Sequence, residues 1–232
     1  MTTPLPDKLN LLIKTALEEV NANPQHRLAY QRRRQIYDTL RAYPVGHYAH
    51  ALLAINTALK VIPVFQQEFP DDTLPKELLD TAIGVLNGDI DDTTTIDEIQ
   101  DHGYHASGNA WGYDESKISW KADLAGRSAY HALKETRGQE PLDRLDKYFK
   151  LGLVNEPSGD YIKYPNPVSA KQFTDEDLCQ IENSDTAATA AVSFSCDPNS
   201  PLCDPAKLQE FWTWWLLNAI PEAWKEYTNK HA

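Results

Sequence analysis

The chain is short of the features that usually announce chemistry. Its three cysteines, Cys179, Cys196 and Cys203, are odd in number and crowd the last quarter of the sequence. None forms a Cys-x-x-Cys pair, which excludes the usual structural zinc patterns. Cys196 and Cys203 flank Asp-Pro-Asn-Ser-Pro-Leu, where a loop disulfide is conceivable, but reduced thiols in a cytoplasmic protein are the expectation. Ten glycines are present, yet no G-x-G-x-x-G or Walker-type loop and no G-x-S-x-G turn, so neither a phosphate cradle nor a nucleophile elbow is expected. The glycines read as turn residues. No run of eighteen apolar residues occurs, so no membrane span is expected. Met1–Asp7 has no basic stretch followed by an apolar one, which argues against a secretory signal peptide.

Positive charge is also scarce. Twenty-two Lys/Arg against 34 Asp/Glu leave a net charge of −12. The excess is local: residues 71–120 carry two basic side chains against twelve acidic ones, whereas residues 1–70 carry eight against five. Such a field repels nucleic acid and anionic membrane and attracts a basic protein partner. The bland alternative is an acidic surface that serves solubility.

What the chain has in quantity is helical periodicity, and the expected fold is mainly α: one domain over residues 1–232, a bundle of about seven to nine helices. Asp7 is placed to cap a first helix with Leu9, Leu12, Ile13, Ala16, Leu17 and Val20 on one stripe, ending before Asn23-Pro24. A second spans about Gln25 to Tyr43. A third runs from about His47 to Phe65, ending or kinking at Pro63. Asp71-Asp72-Thr73-Leu-Pro75 opens a fourth, and Asn87-Gly88 stops it. A fifth fits Ile118 to about Thr136, with Trp120, Ala125, Ala129, Ala132 and Leu133 inward. Ser184 or Asp185 caps an alanine-rich helix whose small residues suit close packing. Two segments break the pattern: an acidic loop segment over 89–117, with a short helix around Thr95–Gln100, and an irregular, proline-bearing segment over 137–183, in which Tyr161–Tyr164 fits a short strand.

Four of six tryptophans fall between Trp212 and Trp224. At about 100° per residue Leu208, Phe211, Trp212, Trp215 and Ala219 share a face, while Trp214, Leu217 and Ile220 point elsewhere. Pro221 reads as the end of that helix and the start of a last short one. The expected structural core there is Leu208, Phe211, Trp212, Trp215 and Trp224.

Candidate chemistry is thin. His47 and His50 stand at i, i+3 on a helix start, and Asp101, His102 and His105 follow in the acidic segment, so a mixed His/Asp metal site or a helical enzyme is one alternative. No H-E-x-x-H or Glu-x-x-His accompanies them, and capping or surface histidines are the plainer reading. Arg32-Arg33-Arg34 resembles a nucleic-acid patch in isolation, but it lies mid-helix in an acidic chain. Pairing with the acidic segment is expected instead. That segment departs from a calcium loop in order and lacks its central glycine. Asp89, Asp91, Asp92, Asp97, Glu98, Asp101, Asp114 and Glu115, with Tyr104, Trp111 and Tyr113 among them, fit a partner-binding surface of aromatic anchors in a charged rim; a solvated loop with nothing bound is the alternative.

Three stretches together carry a likeness: Arg27–Tyr37 followed by His50–Ala58; Pro70–Pro75 with Leu79, Ala82, Leu86 and Gly88; and Ser184-Asp185-Thr-Ala-Ala-Thr-Ala190-Ala leading into Glu210-Phe211-Trp212-Thr-Trp214-Trp215-Leu. Over about residues 25–224 the chain resembles an all-α family of bacterial immunity proteins from polymorphic-toxin systems, the fifth of the immunity series. The resemblance implies a non-enzymatic cytoplasmic protein, without cofactor, that neutralises a cognate toxin domain, many such toxins being nucleases with basic surfaces. An intracellular homodimer that buries the tryptophan helix is a further alternative.

Overall fold

The computed structural model describes residues 4–44, 46–108, 119–138, 185–197 and 200–231. Their helices are α1 (Asp7–Ala22), α2 (Tyr30–Arg41), α3 (Gly46–Glu68), α4 (Leu74–Asn87), α5 (Thr93–Gly108), α6 (Trp120–Thr136) and α7 (Thr186–Ser195). A two-stranded antiparallel hairpin, β1 (Cys196–Asp197) and β2 (Ser200–Cys203), leads to α8 (Pro205–Trp214). A π-helical turn over Trp215–Ala219 joins α8 to α9 (Ile220–His231). The fold is mainly α, as expected. Most of the segment 137–183, including Tyr161–Tyr164, lies outside the described residues.

Helix α3 is the axis of the molecule. Tyr48, Leu52, Leu53, Ile55, Val61, Ile62 and Phe65 are all buried, and it packs on α2, α4, α6, α7 and α9. It is long and apolar enough to cross a membrane by composition, but its surroundings here are the other helices of the chain, with 72% of its most apolar stretch buried. It does not stop at Pro63. The proline lies on the exposed side, where water can satisfy the carbonyl that its missing N–H leaves without a helical donor, so the helix continues to Glu68.

Several expected boundaries shift for local reasons. Asp7 is the first residue inside α1 rather than its cap; Pro6 precedes it and Asn10 secures the turn by donating Nδ2–H to the Leu5 carbonyl. Helix α2 starts five residues later than expected, because Asn23 to His26 form a turn with His26 at φ +51°. The described part of the acidic segment, 89–108, is largely helical: Asp92 accepts from the Thr94 amide and the Thr95 hydroxyl, and α5 then runs to Gly108. Not every glycine is a turn residue either. Gly103 lies inside α5, where a Cβ would stand 2.9 Å from the Leu78 side chain, so its bareness lets α5 lie close against α4.

The tryptophan rod is the largest departure. Leu208, Phe211, Trp212, Trp215 and Trp224 are buried, and Trp215 Nε1–H donates to the buried Thr57 hydroxyl at 3.0 Å. Ile220, expected to point away, is wholly buried too, and Pro221 does not end the helix. The π-turn is the reason for both. An extra residue in the turn shifts the phase of everything after it and brings Ile220, Ala223, Trp224 and Tyr227 inward. It also absorbs the proline that an unbroken α-helical ladder would reject. Trp214 remains half-buried against Phe211, with Lys60 Nζ 5.0 Å above its ring.

The turn between α2 and α3 gives a sharp test. A Cβ at Gly46 would sit 2.1 Å from the Leu40 carbonyl oxygen and 2.8 Å from Arg41 backbone atoms. Because backbone must give way, Gly46→Ala is expected to lower unfolding stability by about 2–4 kcal/mol. Chemical denaturation of both proteins measures it, and an unchanged midpoint would contradict this packing.

Candidate functional site

Two groups of polar side chains stand out, one exposed and one sealed inside. The exposed group is the acidic face of α5. Ile96 and Gly103 anchor the inner side of this helix, so residues 97, 98, 101, 104 and 105 are turned outward. Asp97, Glu98, Gln100, Asp101 and Tyr104 line an open groove completed by Tyr130 of α6. Tyr104 is 58% exposed, and its ring lies 6.3 Å from that of Tyr130. Asp89, Asp91 and Asp92 continue the acidic surface in the turn before α5. Not all of this charge is available to a partner. Arg137 donates to Asp97 at 2.6 Å and to the Gln100 amide oxygen at 2.6 Å, and His105 lies 3.5 Å from Asp101. Hydrogen bonds from the Thr95 hydroxyl and the Thr94 amide hold the Asp92 carboxyl below its ordinary value. Glu98 and Asp91 are exposed. Trp111, Tyr113, Asp114 and Glu115 lie outside the described residues.

In the buried group, Asp185 is a candidate cap and His50 a candidate metal ligand on sequence grounds, but the buried network they join is not legible there. Asp185, 0% exposed, accepts from the amide of Ala188 as the α7 cap at 2.9 Å, from Arg33 Nε at 3.0 Å and from the Tyr37 hydroxyl at 3.3 Å. Arg33, itself 1% exposed, also donates Nη1–H to the Leu28 carbonyl and places its guanidinium 5.7 Å from the Trp212 ring centre. One residue on, Thr186 donates its amide and hydroxyl to Glu135 Oε1 of α6, and Glu135 Oε2 lies 3.1 Å from His50 Nε2 of α3. Burial works to raise the Glu135 pKa, but the His50 and Thr186 donors outweigh it and hold the carboxyl below its ordinary value. Burial pushes His50 down, and Tyr37, buried beside Asp185, is raised well above 10 and stays a donor.

The arginine run has partners within the chain, each from a different element. Successive residues on a helix diverge by about 100°, so Arg32 reaches Glu19, Arg33 reaches Asp185 and Arg34 reaches Asp38. The histidines likewise have separate tasks. His47 Nε2 bonds the Thr136 carbonyl at 2.7 Å, closing the α6 end, while His50 faces Glu135 and His102 is exposed. Among the described residues no group of three or more His, Cys, Asp or Glu side chains is placed to hold a metal ion. Asp185, at the head of the alanine-rich helix, is a core residue and not a contact surface.

A helical body with a sealed ionic core and a carboxylate-lined outer groove is what a binding protein presents. The family model for immunity protein Imm5 matches residues 13–143, more than half of the chain. The chain therefore belongs to the Imm5 immunity protein family, whose general role is protection against a cognate toxin. No curated protein matches it. The matched region contains α5 and its acidic face but stops short of the tryptophan rod, so the block that carries much of the resemblance lies beyond it.

Two outcomes follow from the sealed network. Asp185→Asn leaves the Arg33 guanidinium buried without its counter-charge and is expected to cost about 3–5 kcal/mol of stability in chemical denaturation; a loss under 1 kcal/mol would show the pair to be dispensable. Stability should also fall on mild acidification. His50 is held below the ordinary histidine value of 6.5, and desolvation lowers His131 to about 4. The unfolded chain takes up protons on both rings near pH 6.5 that the folded protein refuses until lower pH. Each ring thus removes up to about 1.4 kcal/mol per pH unit below that value. Unfolding midpoints measured from pH 7 to 5 should decline, less steeply in His131→Gln; a flat profile would contradict the assignment.

Proposed function

We propose that this protein neutralises its toxin by laying the acidic face of α5 over a basic surface of the toxin domain, occluding the substrate path by stoichiometric binding in the cytoplasm. The observation that carries the reading is the groove of Asp97, Glu98, Asp101 and Tyr104: exposed carboxylates around an aromatic side chain, within the part of the chain that matches the family. Aromatic anchors in a charged rim supply the affinity, and the concentrated negative field speeds encounter with a basic partner. A nuclease, whose active surface must attract a polyanion, is the toxin class that such a face suits best.

The residues chosen to test this should not hold the fold. Asp92 caps α5 and Asp97 anchors Arg137, so they are left intact. Asp91→Lys, Glu98→Lys and Asp101→Lys together are expected to weaken binding to the cognate toxin domain at least tenfold, on the order of what removing charge complementarity costs, and to flatten its salt dependence. Tyr104→Ala should weaken binding further. Titration calorimetry across ionic strengths reads this, with circular dichroism confirming an unchanged helical signal, and growth on co-expression with the toxin domain reads protection. Unchanged affinity in the triple variant would remove this surface from consideration.

A further inference from the structure

We propose that Cys196 and Cys203 form a reversible dithiol–disulfide site that staples the end of α7 to the start of α8. The two residues face each other across the β1–β2 ladder, and their sulfurs lie 3.8 Å apart. Directly opposed residues of an antiparallel pair have Cα atoms about 4.5–5.5 Å apart, inside the range that disulfides span. The pair is thus placed within a disulfide's reach, with the sulfurs needing to close from 3.8 Å. The helices on either side are already held together, since the Asp204 amide donates to the Ser195 carbonyl at 3.0 Å.

The surroundings set the order of events. Cys196 is 1% exposed and packs with Leu124 and Val192, an apolar setting that disfavours its thiolate, whereas Cys203 is partly accessible. With a disulfide oxidant such as oxidised glutathione, the Cys203 thiolate attacks one glutathione sulfur and releases the other as a thiolate. Cys196 then attacks the Cys203 sulfur of the mixed disulfide and releases the second glutathione. Two electrons pass from the protein pair to the oxidant, and the two protein thiol protons end on two glutathione thiols. An excess of reduced glutathione runs the sequence backwards.

The test uses the full chain carrying Cys179→Ser, equilibrated in graded ratios of reduced to oxidised glutathione, acid-quenched and alkylated. Peptide mass spectrometry should show Cys196 and Cys203 losing reactivity together over one range of ratios and recovering it with reductant. The oxidised protein should gain several degrees in Tm. Cys196→Ala should collect a glutathione adduct on Cys203, while Cys203→Ala collects none on Cys196; Cys203→Val, closer in size, replaces the latter if it fails to fold. Alkylation of both thiols at the most oxidising ratio, a bond between two chains, or separate adducts on the two cysteines would each overturn the proposal.

Discussion

Everything around the head of α7 depends on keeping one buried carboxylate satisfied. Asp185 has no contact with water, and a carboxylate in that position is tolerated only if its oxygens are matched by donors. The donors come from Arg33 and Tyr37 on α2 and from the first turn of α7 itself. Arg33 in turn lies against Trp212, and Tyr37 packs edge-on against both His50 and Trp215. Moving α7 by a turn along its axis would part the Asp185 carboxylate from Arg33 and Tyr37, and Thr186 from Glu135. The faces of α3, α6 and α7 supply close apolar packing, and the ionic network adds directional donors and acceptors that are satisfied in this register.

This division explains why a chain with a net charge of −12 carries ion pairs at its centre as well as on its surface. The interior pairs are consumed by structure. The carboxylates on α5 and in the turn before it are consumed only in part: Glu98 and Asp91 stay exposed, while Arg137 meets Asp97 and His105 lies near Asp101. Binding residues that do not stabilise the fold can diverge with their partner without unfolding the protein. An immunity protein benefits from that arrangement, because its specificity can change while its scaffold is kept.

What was legible in the sequence follows the range of the forces involved. Apolar stripes at i, i+3, i+4 located α1, α3, α4, α6 and the tryptophan helix, because burial of one helix face is a local pattern with a global cause. Asp185 as a cap was legible for the same reason. The pairing of Arg33 with Asp185 was not, since 152 residues separate them and no local rule connects a mid-helix arginine with a distant cap. The π-turn was hidden in a similar way: Pro221 reads as a stop, and only tertiary burial of Ile220 and Trp224 makes continuing the rod worth an irregular turn. The acidic segment was recognisable by charge and in part by shape: the helix expected around Thr95–Gln100 lies within α5, which Asp92 and two threonines start earlier and which runs further.

The tryptophans and the acid patch thus divide the molecule's work in a way that burial settles for the former. Trp215 is wholly enclosed with its N–H on Thr57, so its energy is spent inside the chain, and the rod's large apolar side chains left at the surface include Leu217 and the half-buried Trp214. Leu217 is 49% exposed, and Leu59, at 45%, shares an open groove with Trp214, Glu222, Lys225 and Glu226. A toxin domain that must be caught quickly is better served by a concentrated field around an aromatic side chain, which acts before contact through charge and after contact through burial. The proposed α5 face carries both kinds of group, and it rests on α4 and α6 through Ile96 and Gly103.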